Sequence, residues 1–433
     1  MLKSTSNLHL TMATQENLTL CVPRASTGAN PLEPVLVSSP KPSLSGAGAP
    51  ENHILIKVDR FGYSTNNVTY QTLGEVPHFR YFDFHAAPTT AEPPVSPETH
   101  GVIPVWGFGM VEASTHPDIK VGERVYGYFA PTRYLLLPIA TTEVSAYSCF
   151  VPRPHLPADR RPYNQVTRCS GDPTYHPSPA IEDLTMLYRP LFWTAFWCED
   201  WLYTGTPTPY RGVKNVLISS ASSKTAFCVA YNIKKRLAKD SNLKLQIVGI
   251  TSKKNREFTK GLGLYDTIYE YDEVNSIPSS SDAEGSWIYA DVAGNDELNG
   301  VVVSHLGSRL LAGIALGLTN LSPTAPGETS SSKWTANKFD GDAAHAASSA
   351  FKLEQFFMPE WLTKRRAELE QPVLMGMMGA GWGGLMKDCP SWVKMHRVYG
   401  GEACVEAYKQ FGKAAGPDAG WVWSLWNSEE EAK

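Results

Sequence analysis

Hydroxyl and amine groups are concentrated in one short stretch, residues 219–225. The apolar run 215–218 stops abruptly there, and residues 224–235 then have the pattern of a helix. A buried strand, a turn of small residues and a helix N-terminus together form an anion site, because backbone N–H groups and the helix dipole face the ligand. Four hydroxyl groups can add donors to phosphate oxygens: Ser220, Ser222, Ser223 and Thr225. The stretch predicts a phosphate-binding turn; a serine-capped turn without a ligand is the alternative.

A second apolar run, residues 245–250, ends in Thr251, Ser252, Lys253 and Lys254. In a dinucleotide-binding unit, the end of the second strand lies beside the adenosine ribose of the cofactor. Lysine ammonium groups at this position favour a ribose that carries a 2′-phosphate. The pattern therefore predicts NADPH as the cofactor.

Strand and helix patterns alternate after the turn, which predicts a doubly wound parallel sheet in an α/β fold. The preceding residues form short alternating runs separated by Gly and Pro, which is typical of an irregular β-rich lobe. Residues 184–202 are apolar on most faces and predict a buried helix that joins the two lobes. Residues 151–180 are rich in proline, arginine and tyrosine without periodicity, so we expect an insertion or lid-like loop there.

The same patterns divide the chain into four parts. We expect a flexible N-terminal segment at 1–50 and a β-rich catalytic lobe at 51–183 that contains the 151–180 insertion. A nucleotide-binding lobe follows at 184–350, and residues 351–433 supply its last strand and a return to the catalytic lobe.

Composition excludes several classes of function. The 433 residues carry a net charge of -4, which gives no polybasic surface for nucleic acid. The longest apolar stretch is too short to span a membrane, and the N-terminus lacks the pattern of a secretory signal, so we expect a cytoplasmic protein. The seven cysteines are scattered and the histidines form no close pair, so no metal site is predicted.

The order of the lobes resembles the medium-chain dehydrogenase/reductase superfamily, on its zinc-free, quinone-oxidoreductase-like side. The strongest landmarks are residues 54–58, 61–62, 121–125 and 249–271. Residues 61–70, 104–109 and 219–226 look like a branch known only as a domain of unknown function. The resemblance implies a GroES-like β-rich catalytic lobe and a Rossmann lobe.

The resemblance also assigns roles to single residues. Lys253 or Lys254, together with Tyr271, would hold the adenosine phosphate. The chain departs from the family at the turn, where Ser223, Lys224 and Ala226 replace glycines, and Lys224 could instead add a charge contact to the pyrophosphate. Asp291 and Gly294 lie near the expected nicotinamide, and we expect Asp291 to cap a loop rather than act as an acid or base. Zinc enzymes of the superfamily carry Gly-His-Glu where residues 105–107 are Val-Trp-Gly, which implies chemistry without zinc.

Hydride transfer from NADPH to an electron-poor carbon needs positioning and a donor to the developing oxyanion. Asn67 would orient the substrate oxygen and Tyr70 would donate a proton or hydrogen bond to it; the alternative is that both are turn and strand residues bonded to backbone. We expect Tyr126 and Tyr128 to pack, and Tyr163 lies in a segment that could close over the site.

The leading hypothesis is a zinc-independent, NADPH-dependent oxidoreductase that reduces an activated C=C bond, a quinone or a carbonyl. A role in a specialised biosynthetic pathway is a second enzymatic possibility. The alternative is a non-catalytic nucleotide-binding or scaffold protein that retains the fold. The expected partner is a hydrophobic or aromatic small molecule, because the chain has 12 Trp and 19 Tyr. Residues 309–318 are a candidate sheet edge for a homodimer.

Overall fold

The computed structural model describes residues 16–278, 285–328, 353–414 and 416–433. Within these residues the strands, in chain order, are β1 (Glu16–Pro23), β2 (Val35–Pro40), β3 (His53–Tyr63), β4 (His100–Gly101), β5 (Val105–Ser114), β6 (Arg124–Phe129), β7 (Tyr134–Pro138), β8 (Ser148–Phe150), β9 (Gln165–Arg168), β10 (Asn215–Ile218), β11 (Gln246–Thr251), β12 (Thr267–Glu270), β13 (Trp287–Asp291), β14 (Leu310–Ala315), β15 (Leu353–Gln355), β16 (Lys394–Tyr399) and β17 (Ala419–Ser424).

The α-helices of the same residues are α1 (Thr65–Thr72), α2 (Pro179–Thr204), α3 (Lys224–Lys239), α4 (Arg256–Gly261), α5 (Asp296–Leu306), α6 (Met358–Glu368), α7 (Gln371–Asp388), α8 (Gly401–Ala414) and α9 (Glu429–Ala432). None of these helices is long and apolar enough to cross a membrane.

The β-rich lobe is built around an eight-stranded sheet in which β3 pairs antiparallel with β5, β7 and β17. The strands β3 and β5 approach closely at Gly109, where an added Cβ would lie 2.5 Å from Ile56 Cγ2. The strand β17 comes from the end of the described chain and lies between β3 and β16. The C-terminal return to the first lobe therefore completes its main sheet.

Part of the N-terminal segment expected to be flexible is ordered. The strand β1 pairs antiparallel with β2 and, at its end, with β4. Cys21 and Val22 of β1 are 0% and 1% exposed, so this strand is held by burial of its apolar side chains. The expectation is wrong for these strands because Ser, Thr and Pro in the segment concealed a short apolar pattern; residues 1–15 lie outside the described residues.

The insertion expected at 151–180 also contains regular structure. The strand β9 extends the eight-stranded sheet by pairing with β6 and β8. Val166 of β9 is 2% exposed, and the Arg168 guanidinium donates to both carboxylate oxygens of Glu123 at 2.7 Å. The prediction of a loop is wrong here because four residues are too few to show a period in the sequence.

The second lobe is a six-stranded sheet, with order β12-β11-β10-β13-β14-β15, in which every pair is parallel. Side chains alternate across it: Val216 and Ile218 of β10 pack with α3, whereas Leu217 packs with α5. Helices therefore cover both faces, which confirms the predicted doubly wound sheet. The strand β14 lies between β13 and β15, so residues 309–318 are not the sheet edge we expected for a homodimer.

The predicted helix between the lobes is α2, which runs through 26 residues and begins with Pro179. It packs against β3, β5 and β17 on one side and against α3 on the other. Its first turn carries part of a buried group of opposite charges, which we call the ion cluster: Asp59, Arg60, Arg124, Glu182, Asp183 and Arg397. The ion cluster ties α2 to β3, β6 and β16.

Candidate active site

The carboxyl ends of β10 and β13 are joined by a buried hydroxyl group. The Ser219 hydroxyl donates to Asp291 Oδ1 at 3.0 Å and accepts the backbone N–H of Val292 at 2.9 Å. Asp291 also accepts from the backbone N–H of Gly294 at 3.0 Å and from the side chain of Asn299 at 2.7 Å. Burial raises the pKa of Asp291. The carboxyl group thus caps the loop after β13.

The hydroxyl groups of the predicted phosphate turn are partly used inside the turn. Ser220 has a left-handed φ of 51° and accepts from Thr319 at 2.8 Å. Ser222 accepts from Asn255 at 3.0 Å, and Ser223 caps α3 by accepting the backbone N–H of Ala226 at 3.4 Å. A hydroxyl group that accepts one bond still has its proton to donate. The turn is therefore shaped by its own bonds and keeps donors for an anion.

Lys224 is the first residue of α3, and its ammonium group turns toward the C-terminal segment. Lys224 Nζ donates to the backbone oxygens of Pro417 at 3.3 Å and Ala419 at 3.0 Å. Burial lowers the pKa of Lys224 to about 8. No carboxylate in the described ranges lies within ion-pair distance of this ammonium group. Its direct hydrogen-bond partners are therefore carbonyl oxygens, with the charge of Asp418 acting from a greater distance.

The end of β11 offers unused polar groups beside exposed cations. Thr251 Oγ1 and Ser252 Oγ are buried and have no hydrogen-bond partner in the part of the chain that the structure describes. Lys253 and Lys254 follow and are exposed. Tyr271 is 39% exposed and hydrogen-bonds to Ser220; burial raises the pKa of its phenol. The predicted adenosine-side residues therefore lie around one edge of the turn.

A cavity of about 1230 Å³ opens on the other side of the turn and reaches the β-rich lobe. Four of the predicted cofactor residues line this cavity: Ser223, Lys224, Thr225 and Gly294. Gly294 has a φ of 63°, and an added Cβ would lie 2.7 Å from Leu318 Cδ2. Glycine is needed there because the loops after β13 and β14 touch. The remaining predicted cofactor residues are not in the cavity wall: Ser220, Ser222, Thr251, Ser252, Lys253, Lys254 and Tyr271.

The predicted catalytic pair lies on α1, a helix that the sequence analysis did not predict. Asn67 does not have the predicted role: its Oδ1 accepts the backbone N–H of Ser64 at 2.8 Å, and its Nδ2 donates to Pro104 O at 3.0 Å. These bonds cap α1 and fix β5 beside it. Asn67 is 3% exposed and does not line the cavity, so its amide is not free to orient a substrate.

Tyr70 lines the cavity, and its phenol oxygen is fixed by two donors. Asn66 Nδ2 donates to it at 2.6 Å and Trp106 Nε1 at 3.3 Å. Burial raises the pKa of Tyr70 well above its usual value, so the phenol keeps its proton near neutral pH. Sequence reasoning missed Asn66, although the i,i+4 spacing of Asn66 and Tyr70 would have shown it once residues 65–72 were recognised as a helix.

Aromatic rings surround Tyr70 in what we call the aromatic chamber: Tyr70, Phe79, Tyr81, Trp106, Tyr126 and Tyr163. The centroids of Tyr70 and Tyr81 are 4.6 Å apart, and Trp106 stacks on Tyr126 with 5.6 Å between centroids. Tyr163 comes from the insertion and lies 6.1 Å from Trp106. The insertion therefore forms one wall of the cavity.

In the described ranges, no group of three or more His, Cys, Asp or Glu side chains could hold a metal ion.

Solved structures with the same architecture include CurA from Vibrio vulnificus, with a TM-score of 0.54 and 15% identity over 95% of this chain and 99% of that one. A mycobacterial protein, Rv1454c, crystallised with NADPH, has a TM-score of 0.51 and 13% identity over 94% of this chain and 99% of that one. These similarities establish the medium-chain dehydrogenase/reductase fold, with a GroES-like lobe and a Rossmann lobe.

The sequence has no significant match among curated proteins. A family model described as "Protein of unknown function (DUF2855)" matches residues 61–415, which is most of the chain. The chain therefore belongs to the DUF2855 family, a branch of proteins with the medium-chain dehydrogenase/reductase fold.

Proposed function

We propose that the protein is an NADPH-dependent oxidoreductase that reduces an activated C=C bond, a quinone or a carbonyl without zinc. One observation carries this proposal: a single cavity joins the phosphate turn, at Ser223 and Thr225, to the hydroxyl group of Tyr70. The cofactor and the proton donor would therefore face the same space. On this proposal residues 51–183 act as the catalytic lobe and residues 184–350 hold the nucleotide. Residues 351–433 supply the last strand of the nucleotide-binding lobe and the return to the catalytic lobe.

The residues at the carboxyl edge of the parallel sheet fit a phosphorylated dinucleotide. The 16-residue helix α3 directs its N-terminal N–H groups and dipole toward the turn. Beside the turn, Lys224 supplies a cation that has no carboxylate partner among the described residues. Lys253 and Lys254 would pair with the 2′-phosphate, and Thr251, Ser252 and Tyr271 add polar atoms to the same edge. The NADPH bound in the mycobacterial neighbour supports this choice of cofactor.

Bound NADPH supplies the hydride, and the protein supplies position and a proton. Asn66 and Trp106 both donate to the Tyr70 phenol oxygen, so these two bonds do not use the hydroxyl proton of Tyr70. Tyr70 would therefore donate to the substrate oxygen and stabilise the enolate or phenolate that forms there. The aromatic chamber would pack against a flat, hydrophobic substrate and exclude water from the reacting atoms.

Cofactor binding is tested by titrating the protein with NADPH and NADH and following cofactor fluorescence. Lys253→Ala/Lys254→Ala should weaken NADPH binding by at least tenfold, since a hydrogen bond to a charged group contributes about 1.5–3 kcal/mol. NADH binding should not change. Lys214→Ala/Lys239→Ala is the matched control, because it removes two exposed lysines elsewhere in the same lobe. If neither cofactor binds the parent protein, the oxidoreductase proposal fails.

Catalysis is tested with a panel of quinones and conjugated ketones. Tyr70→Phe should lower kcat by about a hundredfold on an accepted substrate, in the range that general acids contribute. The KM for NADPH should not change, because Tyr70 lies on the substrate side of the cavity. Tight NADPH binding with no turnover of any compound would favour the non-catalytic nucleotide-binding protein.

A further inference from the structure

The cavity has walls beyond the phosphate turn and the aromatic chamber. Its volume of about 1230 Å³ is shared by the proposed cofactor site and the space beside these further walls. Part of its wall comes from α2, α6, α7 and the residues that lead into α6, and we call the space beside this part the apolar arm. Its wall consists of aromatic, aliphatic and thioether side chains: Trp193, Trp197, Phe356, Met358, Leu362 and Met378.

The apolar arm begins at the proposed reaction centre. The strands β14 and β15 are parallel and in register, with Ala315 opposite Gln355, so both end at the carboxyl edge of the sheet. The residues after β14, including Gly317 and Leu318, line the cavity beside Gly294. The residues after β15 lead directly into α6. A substrate that reacts at this edge would therefore enter the arm at its inner end.

The helix α6 sets the direction and length of the arm. Met358, Leu362 and Arg366 are spaced four residues apart, lie on one face of α6 and line the cavity. Eight residues of helix span about 12 Å. Arg366 is exposed, whereas Phe356 at the inner end is 8% exposed. The arm thus runs from a buried end beside the sheet to an exposed end at an arginine.

The chemistry of the walls restricts what can lie there. Thr194 also lines the cavity between α2 and α6, but its hydroxyl group donates to Pro190 O at 3.1 Å within α2. Methionine and leucine side chains adapt to an unbranched chain better than to a rigid polar group. Arg366 forms no ion pair with any residue in the described ranges, although its neighbours Lys364 and Arg365 do. An apolar chain that ends in an anionic group matches this order of side chains.

We propose that the apolar arm binds a hydrocarbon chain of the substrate and that Arg366 contacts an anionic group at its outer end. This inference rests on the proposed function for the reaction at the inner end. It assigns the substrate to acyl-type compounds that carry a conjugated carbonyl at one end of a long chain and an anionic group at the other end. Leu362 would then determine which chain lengths are accepted.

Binding is tested without turnover, using the fluorescent fatty acid cis-parinaric acid. Leu362→Trp fills the arm and should weaken binding by at least tenfold, whereas Thr363→Trp, on the exposed side of the same helix, should not. Met378→Phe narrows the arm from α7 and serves as a second variant if Leu362→Trp does not fold. Arg366→Gln should weaken binding of the acid severalfold and leave binding of its methyl ester unchanged.

Kinetics separate this inference from the proposed function. With NADPH, dodecenal should have a KM at least tenfold below that of crotonaldehyde, and Leu362→Trp should remove this difference. Turnover of crotonaldehyde with no preference for dodecenal and no binding of cis-parinaric acid would overturn the inference and leave the proposed function standing. Binding of cis-parinaric acid that Leu362→Trp abolishes, without oxidation of NADPH by either aldehyde or by any compound of the quinone and ketone panel, would support the arm and refute the proposed function.

Discussion

Two groups of charged side chains differ in how the fold treats them. In the ion cluster, three arginines meet three carboxylates: Arg60 donates to Asp183 at 2.8 Å and to Glu182 at 2.8 Å. At the carboxyl edge of the parallel sheet, Lys224, Lys253 and Lys254 have no carboxylate within ion-pair distance in the described part of the chain. We call these three the edge cations. The charges of the ion cluster sum to zero, whereas the edge cations carry a net positive charge.

On the proposed function, the difference separates charges that stabilise the fold from charges that would bind the cofactor. Taking a charge out of water costs free energy unless an opposite charge or several dipoles replace the solvent. The ion cluster meets this condition with protein groups alone. Lys253 and Lys254 are exposed and stay hydrated, and Lys224 Nζ is held by two carbonyl oxygens. On the proposed function, a phosphorylated ligand at the turn of residues 219–225 would pair with all three.

The largest expected effect is on stability, from breaking the ion cluster. Asp183 is 0% exposed and accepts from both Arg60 and Arg397. Asp183→Ala should lower the free energy of unfolding by about 3–5 kcal/mol, because it removes the fully buried carboxylate that Arg60 and Arg397 share and leaves the ion cluster with an excess positive charge. Denaturant unfolding measures this. Lys394→Ala breaks an exposed ion pair with Asp418 and should change the free energy of unfolding by less than about 1 kcal/mol. Equal losses from both variants would contradict the comparison.

A smaller effect of a different kind is expected at the edge cations. Lys224→Met replaces the buried ammonium group by an apolar group of similar length. The affinity for NADPH should fall by about 1.5–3 kcal/mol, which is roughly tenfold or more. The free energy of unfolding should change by less than about 1 kcal/mol, because the lost carbonyl contacts are offset by removal of an unpaired charge. Calorimetric titration and denaturant unfolding measure the two quantities. A stability loss as large as that of Asp183→Ala would make Lys224 a structural residue.

A third effect is a dependence on pH. Burial lowers the pKa of Lys224 to about 8, below its ordinary value of 10.5. The folded state thus disfavours the ammonium form, and this cost disappears as pH rises from about 8 to 10.5. The unfolding free energy of the parent protein should rise relative to that of Lys224→Met over this interval. NADPH affinity should fall over the same interval only in the parent. An identical pH dependence in both proteins would exclude titration of Lys224 as the cause.

Periodic segments could be predicted from the sequence, and segments stabilised by side-chain bonds could not. The strands β10 and β11 and the helix α2 are apolar over several consecutive residues, so their patterns are local. The helix α1 consists mainly of Thr and Asn, which have low helix propensity, and it depends on the capping bonds between Ser64 and Asn67. Because this helix was not predicted, the catalytic role was assigned to Asn67, whereas Asn66 is the residue that lines the cavity.

The cavity was hidden from sequence reasoning because its walls come from distant parts of the chain. Trp106 lies on β5, Tyr163 lies in the insertion and Phe356 follows β15. No local pattern joins these residues, and each one alone resembles an ordinary core aromatic. The position of the lysines at 253–254 just after β11 could be predicted because it follows directly from strand order. Sites made by one turn are therefore easier to predict than sites made by several elements.

The position of β17 has a consequence for how the protein is made. Trp426, just after β17, donates to Val58 of β3 at 2.7 Å across 368 residues of sequence. The main sheet of the first lobe therefore cannot close until almost the whole described chain has left the ribosome. Domains usually fold as units during synthesis, N-terminal first. Here the parallel sheet of the second lobe can form before the first lobe is complete. Until β17 has been synthesised, the part of β3 that pairs with it stays unpaired.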